Sequence, residues 1–290
     1  MAKAVNSFKD VQDLSKKLTT KFPEEFDKVK SIFYWITQYI IYDVNEFHAD
    51  SAHSYYNIIK YKQEVYGNDS LYNLRILDTV LRKQAAICDG YARLFKTLCS
   101  FAGMKSEMIV GMGKTDIDDL EKYDSNHAWN SVKVNDKWYL LDACWGSGNS
   151  NDSTTKFTKE RDEFYFMSDP KYFSYTHFPD DKKYFYHSNP FSKQQFINLP
   201  VVYSNFFYAG FDSFTPLNGT IDSKKNGKIQ ITVSKTDYKA NNNFSGNLPV
   251  TSKKTETRYN IENELTNVAE PSFILYHKLK AIIKYKIKKE

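Results

Sequence analysis

A thiol, an imidazole and a carboxylate lie within a short stretch of this chain of 290 residues, each inside a distinctive segment. Cys88 lies in Ala-Ile-Cys-Asp-Gly-Tyr-Ala, His127 in Asn-His-Ala-Trp-Asn, and Asp142 in Leu-Leu-Asp-Ala-Cys-Trp-Gly. A cysteine nucleophile needs these three groups, because a base must take the thiol proton and an acid must hold that base in one tautomer. We therefore predict that Cys88, His127 and Asp142 form a catalytic triad.

The pattern around Cys88 predicts that this residue lies in the first turn of a helix. An apolar stripe predicts one helix over residues 70–84, and a second helical pattern begins at or just before Cys88 and ends near Gly103. The dipole and the free amide groups of a helix N-terminus favour a thiolate. The same amides could donate hydrogen bonds to an oxyanion.

His127 and Asp142 are predicted to lie on neighbouring strands. Residues 127–134 alternate in strand fashion, and residues 137–142 have the pattern of a returning strand after a two-residue turn at Asn135-Asp136. Counting outward from that turn places His127 near the strand end that holds Asp142. A cysteine at a helix start that faces such a pair is the papain-type layout.

Together the three segments resemble the catalytic core of the transglutaminase-like superfamily, a group of acyl-transferring transglutaminases, peptidases and amidases. Residues 28–43 resemble the family's opening helix with its terminal Ile-x-Tyr-Asp pattern, which is Ile-Ile-Tyr-Asp at positions 40–43. Residues 164–170 and 176–181 are similar to the kyphoscoliosis-peptidase-like branch of that family. The resemblance covers roughly residues 10 to 200.

The resemblance implies an α+β fold with a papain-like core of helices and antiparallel sheet. It also implies that Cys88 attacks an amide of a protein or peptide substrate and forms a thioester, with His127 as the base and Asp142 as the residue that orients it. Peptidase, amidase and transglutaminase-type acyl transfer share that step, and the sequence does not separate them. The alternative is a catalytically silent protein-binding or scaffolding module. No cofactor and no metal are expected.

The chain departs from the family pattern at two places near the triad. Cys144 stands where many relatives have Thr or Ser, and Ala86-Ile87 stands where the branch often has Gly. Neither change removes a catalytic group. The side chain that would supply an oxyanion donor is not identifiable, and Gln84 is a candidate only through its closeness in sequence.

The remaining cysteines and histidines are expected to have packing roles. Cys99 and Cys144 are predicted to be buried or partly buried free thiols, although a bridge between them is conceivable. The other histidines lack metal-ligand spacing, so we interpret them as surface or structural residues. The acidic run between Asp116 and Glu121 is interpreted as a solvated lid rather than a calcium loop.

Composition narrows the classes of function. The net charge of +5 comes from 40 basic and 35 acidic residues, without the basic stripe or recognisable module of a nucleic-acid-binding protein. No stretch approaches the length of a membrane span. The first residues lack the apolar run of a signal peptide, so the compartment is left open, with export expected only if a leader was removed. The oligomeric state is also left open.

Two domains are predicted along the chain. A catalytic domain covers residues 1–189, and a β-rich accessory domain covers residues 190–290. The lysine-rich tail, residues 278–289, is interpreted as an edge strand protected by its lysines. Further elements are predicted as helices over 7–22 and 23–41 and strands over 107–111, 163–167, 201–208 and 228–234.

Overall fold

The chain contains two compact units. The computed structural model describes residues 8–49, 54, 69–115, 125–151, 153–222, 228–239, 251–262, 272–278 and 280–288. The first unit comprises Met1–Gly113, Ser125–Phe173 and Pro179–Ser188, and the second comprises Lys114–Asp124, Ser174–Phe178 and Asn189–Glu290. A domain boundary after residue 189 stays a prediction. The acidic run that we interpreted as a lid lies outside the described residues.

Helices and short strands alternate in the first unit before its main sheet. Its helices are α1 (Phe8–Thr19), α2 (Glu25–Tyr39), α3 (Val44–Phe47), α4 (Asp69–Lys83), α5 (Cys88–Phe101) and α6 (Pro170–Phe173). Its strands are β1 (Ile41–Tyr42), β2 (Ala85–Ala86), β3 (Ser106–Gly113), β4 (His127–Val134), β5 (Lys137–Leu141), β6 (Gly148–Ser150) and β7 (Phe157–Lys159), and β8 (His177–Pro179) follows at the division between the units.

The helical part of the first unit surrounds a common apolar core. Helix α2 buries most of one face, and α5 turns its own apolar face toward the same cluster. The fully buried members from these helices are Val29, Ile32, Phe33, Ile36, Leu94, Phe95 and Leu98. Phe26, which the periodicity assigns to the same face, is 44% exposed because it lies in the first turn of α2, where its ring packs edge-on against Phe166.

Strands β3, β4 and β5 form an antiparallel sheet in the order β5-β4-β3. The predicted turn is confirmed, since Val134 pairs with Lys137 and both intervening residues have positive φ, 48° at Asn135 and 63° at Asp136. Asn and Asp tolerate that conformation better than most residues. In this register, the end of β4 that contains His127 lies beside the end of β5 that leads to Asp142.

Two predicted strands are wrong. Residues 163–167 form no strand, because Glu163–Tyr165 is a short 3₁₀ helix whose first turn the Asp162 side chain caps at the Phe164 amide, 3.0 Å away. Residues 201–208 pair as a strand only at Val201–Val202, and the chain then turns into the helix Ser204–Tyr208. The aromatic residues there have high β-propensity, but burying Phe206 completely from a helix outweighs it.

The second unit is rich in strands. Its elements are α7 (Lys193–Ile197), α8 (Ser204–Tyr208), β9 (Val201–Val202), β10 (Ser213–Thr215), β11 (Thr220–Asp222), β12 (Lys228–Lys239), β13 (Thr251–Glu262), β14 (Ser272–His277) and β15 (Lys280–Lys288). They form one sheet in the order β10-β12-β13 and another in the order β11-β15-β14, with β9 also on β15.

The interpretation of the lysine-rich tail as an edge strand is wrong. Strand β15 is central, with β14 on one side and β11 and β9 on the other. Ile283 and Tyr285 are buried, whereas Lys286 is exposed. Lys284, which is half-buried, and Lys286 therefore lie on the more polar face of this strand, opposite Ile283 and Tyr285.

The fold class is confirmed as α+β, with mixed helices and mainly antiparallel sheets and further strands toward the C-terminus. Within the part of the chain that the structure describes, no helix has both the length and the apolar character needed to cross a membrane.

Candidate active site

Cys88 is the first residue of helix α5, as the sequence predicts. Ile87 precedes it in an extended conformation, and its carbonyl accepts the first hydrogen bonds of the helix, from the amides of Gly90 and Tyr91. The first amides of a helix have no partner within the helix, so the Cys88 amide lies where a negative oxygen could be stabilised. The thiol is partly exposed and packs at the edge of the main core.

His127 and Asp142 form a buried hydrogen-bonded pair across the hairpin. His127 Nε2 lies 2.7 Å from Asp142 Oδ2, and the two residues are 8% and 1% exposed. Asp142 follows the end of β5, where its other oxygen, Oδ1, accepts hydrogen bonds from the amides of Cys144 at 2.8 Å and Trp145 at 3.1 Å. Both carboxylate oxygens are thus occupied by hydrogen-bond donors, the arrangement of an orienting carboxylate.

The His127 ring joins Asp142 to Cys88. Burial disfavours a charge on the ring, but the Asp142 carboxylate and its hydrogen bond, together with hydrogen bonding to the Cys88 thiol, raise the pKa of His127 from 6.5 to about 10. Since Nε2 faces Asp142, Nδ1 is the ring nitrogen left for the thiol. The structure therefore brings together the three residues that the sequence singles out.

The Trp145 ring packs against the His127 imidazole, and Gly113 leaves the space that both rings occupy. The Trp145 ring lies against His127 with centroids 4.8 Å apart and so forms part of the wall of the site. A Cβ on Gly113 would lie 2.9 Å from Trp145 Cζ2 and 3.0 Å from both Cβ and Cγ of His127. Sequence reasoning missed Gly113, although a glycine at the end of a strand signals a close approach of neighbouring groups.

The two other cysteines are buried free thiols, which confirms that prediction. Burial raises the pKa of the Cys99 thiol. Burial, followed by the negative charges of Asp142 and Cys88, raises the pKa of Cys144 well above its ordinary value. Cys88 is accordingly the cysteine that is open to a reagent or substrate.

Gln84, the oxyanion candidate chosen for its position in sequence, contributes through its backbone. Its side chain is exposed, its φ is 52°, and its carbonyl accepts a hydrogen bond from the Ile41 amide at 2.9 Å. That bond belongs to a short parallel pairing in which Tyr42 lies opposite Ala86. The pairing places Tyr42 beside the segment that leads to Cys88.

The pKa of His127 predicts a loss of stability at alkaline pH. Because the folded-state pKa of about 10 exceeds the unfolded value of 6.5, protonated His127 stabilises the fold fully below pH 6.5, and this contribution disappears as the pH rises toward 10. We expect the difference in free energy of unfolding between the wild type and His127→Gln, measured in urea, to shrink over that interval. A difference that stays constant with pH would contradict this linkage.

Comparison with known proteins matches the segment that holds the triad. Residues 12–143 match the family described as the Transglutaminase-like superfamily. Kyphoscoliosis peptidase of Mus musculus is 32% identical over 228 residues, covering 77% of this chain and 31% of that protein. Its Homo sapiens counterpart is 31% identical over 237 residues, covering 80% and 32%. Hillarin of Drosophila melanogaster is 26% identical over 218 residues, covering 70% and 24%. The chain thus spans less than a third of each of these relatives.

Proposed function

Because this chain carries a domain of the transglutaminase-like superfamily, we propose that it is a cysteine-nucleophile enzyme that acts on protein amide bonds through a thioester. The observation that carries the proposal is the buried His127, whose Nε2 lies 2.7 Å from Asp142 Oδ2. The influence of the Cys88 thiol on the pKa of the same ring supports it. The name of the mouse and human relatives, kyphoscoliosis peptidase, supports an action on peptide bonds.

The first step is attack by Cys88 on a carboxamide or peptide carbonyl. The thiol proton passes first to His127 Nδ1, a transfer that the raised pKa of this ring favours. The sulfur then forms a bond to the carbonyl carbon, and the carbonyl π electrons move onto the oxygen. Asp142 holds the ring so that Nδ1 faces the sulfur, and its negative charge stabilises the imidazolium that forms. The Cys88 amide at the start of α5 lies where it can donate to the new oxyanion.

The second step expels the amine and leaves a thioester. The oxyanion electrons re-form the carbonyl, the carbon–nitrogen bond breaks, and His127 returns its proton to the leaving nitrogen. Water then hydrolyses the thioester in a peptidase or amidase, whereas an amine such as a lysine side chain takes the acyl group in a transglutaminase. Both outcomes use the same three residues.

Selective labelling of Cys88 tests the proposed nucleophile. We expect iodoacetamide at about pH 6 to add one carbamidomethyl group, located at Cys88 by peptide mapping, because ordinary thiols react slowly well below their pKa. Cys99 and Cys144 are buried and should stay unmodified. His127→Ala should slow the labelling at least tenfold, since the thiol loses its proton acceptor.

Two controls separate an enzyme from a silent binding module. Cys88→Ala should show no adduct, and 4-nitrophenyl acetate should acylate the wild type at Cys88 but leave Cys88→Ala unmodified. Incubation with casein then distinguishes the outcomes. A peptidase creates new amino termini, a transglutaminase releases ammonia and forms products of high mass, and an amidase releases ammonia without such products. If iodoacetamide and 4-nitrophenyl acetate modify Cys88 of the folded wild type no faster than Cys88 of the unfolded chain, the silent binding module is favoured.

A further inference from the structure

The Tyr42 hydroxyl has no hydrogen-bond partner within the described part of the chain. Among the residues that the structure describes, its recorded contacts are ring contacts, and its side chain is partly buried. Tyr91, a buried tyrosine of α5, differs because its hydroxyl donates to the Ile40 carbonyl at 2.8 Å and lies 3.1 Å from Ser147 Oγ. The Tyr91 hydroxyl thus links parts of the fold through hydrogen bonds, whereas the Tyr42 hydroxyl can donate a hydrogen bond to a substrate.

The backbone places Tyr42 beside the start of the Cys88 helix. Tyr42 pairs with Ala86 in the parallel β1–β2 ladder, two residues before Cys88. Residues paired across a ladder direct their side chains to the same face. Ala86 is fully buried, whereas Ile41, the neighbour of Tyr42, is 46% exposed. The Tyr42 side chain therefore points to the inner face, where it and Cys88 pack against one core cluster.

Several contacts hold the Tyr42 ring in one position. The Phe47 ring lies 6.0 Å and the Phe157 ring 6.3 Å from it, centroid to centroid. Hydrogen bonds of 2.9 Å tie the flanking amides of Ile41 and Asp43 to the β2 segment. A donor held in this way needs no reorganisation when charge develops nearby, which is the condition for strong transition-state stabilisation.

The Tyr42 phenol keeps its proton, and the nearby thiol groups of the site influence its pKa. Burial, and then the negative charges of Cys144, Cys88 and Asp43, raise the pKa of Tyr42. The hydroxyl is consequently neutral over the working pH range and can act as a hydrogen-bond donor. Its electrostatic interaction with Cys88 agrees with the position that the ladder gives it.

We propose that Tyr42 is a further catalytic residue, whose hydroxyl donates a hydrogen bond to the oxyanion that forms when Cys88 attacks a carbonyl. This inference rests on the proposed function. As the sulfur–carbon bond forms, the carbonyl π electrons move to the oxygen, and the Tyr42 O–H and the Cys88 amide stabilise that charge together. The Tyr42 proton is shared but not transferred, and the hydrogen bond weakens again when the carbonyl re-forms and the amine leaves.

The test compares two reactions of the same thiol. Acylation by 4-nitrophenyl acetate passes through an oxyanion, whereas alkylation by iodoacetamide does not. For Tyr42→Phe, which keeps the ring contacts, we expect acylation of Cys88 to slow by about 100-fold, the lower end of the range for the loss of one oxyanion donor. Alkylation and the melting temperature should match those of the wild type.

Tyr39→Phe is the matched control, because Tyr39 lies three residues earlier and is 51% exposed. It should leave both rates unchanged. Equal slowing of acylation and alkylation in Tyr42→Phe would overturn the inference by showing an effect on the thiol, and two unchanged rates would assign Tyr42 to packing alone. A wild type that is alkylated but never acylated would instead refute the proposed function, and the role of Tyr42 with it.

Discussion

Replacing Asp142 with Asn is expected to abolish most of the acylation of Cys88 while leaving a folded protein. In the wild type, the Asp142 carboxylate accepts from His127 Nε2 at 2.7 Å and thereby leaves Nδ1 facing the thiol. The amide of an asparagine would donate to Nε2 instead, so the ring proton would move to Nδ1. A ring protonated on Nδ1 cannot accept the thiol proton, and we expect acylation to fall by roughly 10³- to 10⁴-fold.

The stability of Asp142→Asn should fall much less than its activity. The Asn carbonyl can still accept from the Cys144 and Trp145 amides, which lie 2.8 and 3.1 Å from Asp142 Oδ1. The lost charge-assisted bond to His127 predicts a decrease of roughly 1.5–3 kcal/mol in the free energy of unfolding, measured in urea. The alkaline loss of stability that His127 causes should also diminish, since its pKa would return toward the ordinary value.

Asp136→Asn is the control for removing a carboxylate. The Asp136 side chain is 96% exposed and pairs with Lys133 at 2.7 Å, and Asn suits its positive φ. Such an exposed ion pair contributes little to stability, so both the free energy of unfolding and the acylation rate should match those of the wild type. Acylation at the wild-type rate in Asp142→Asn would remove Asp142 from the mechanism.

Replacing Gly113 with Ala is expected to displace the base. The added Cβ would lie 3.0 Å from Cβ and Cγ of His127 and 2.9 Å from Trp145 Cζ2, so both rings must move. A shift of about 1 Å at a catalytic group can cost roughly 100-fold in rate, and we expect acylation to fall by that order. Overpacking should also lower the free energy of unfolding by about 1–3 kcal/mol.

Gly103→Ala separates crowding at the site from a general cost of replacing glycine. Gly103 follows α5 with φ of 75°, and a Cβ there would meet nothing within 4 Å. We expect it to lose about 1 kcal/mol of stability through backbone strain, with unchanged acylation. If Gly113→Ala and Gly103→Ala lower acylation equally, the close approach at Gly113 does not position His127.

Local patterns were sufficient for much of the site. The helix that starts at Cys88 follows from the apolar spacing along its own 14 residues, and the hairpin follows from a turn in which Asn135 and Asp136 adopt positive φ. The pairing of His127 with Asp142 follows from that turn by counting residues. These features depend on contacts between near neighbours in sequence, which a single sequence expresses directly.

Tertiary contacts decided the remainder. The central position of β15 depends on its pairing with β9 and β11, which lie far back along the chain, so its alternating lysines alone could not distinguish it from an edge strand. The crowding between Gly113 and Trp145 and the ladder that sets Tyr42 beside Ala86 likewise join distant segments. The sequence by itself determined which groups could perform the chemistry and which local elements carry them. Only the tertiary structure decided what surrounds those groups, because packing between distant segments leaves no periodic signal in the chain.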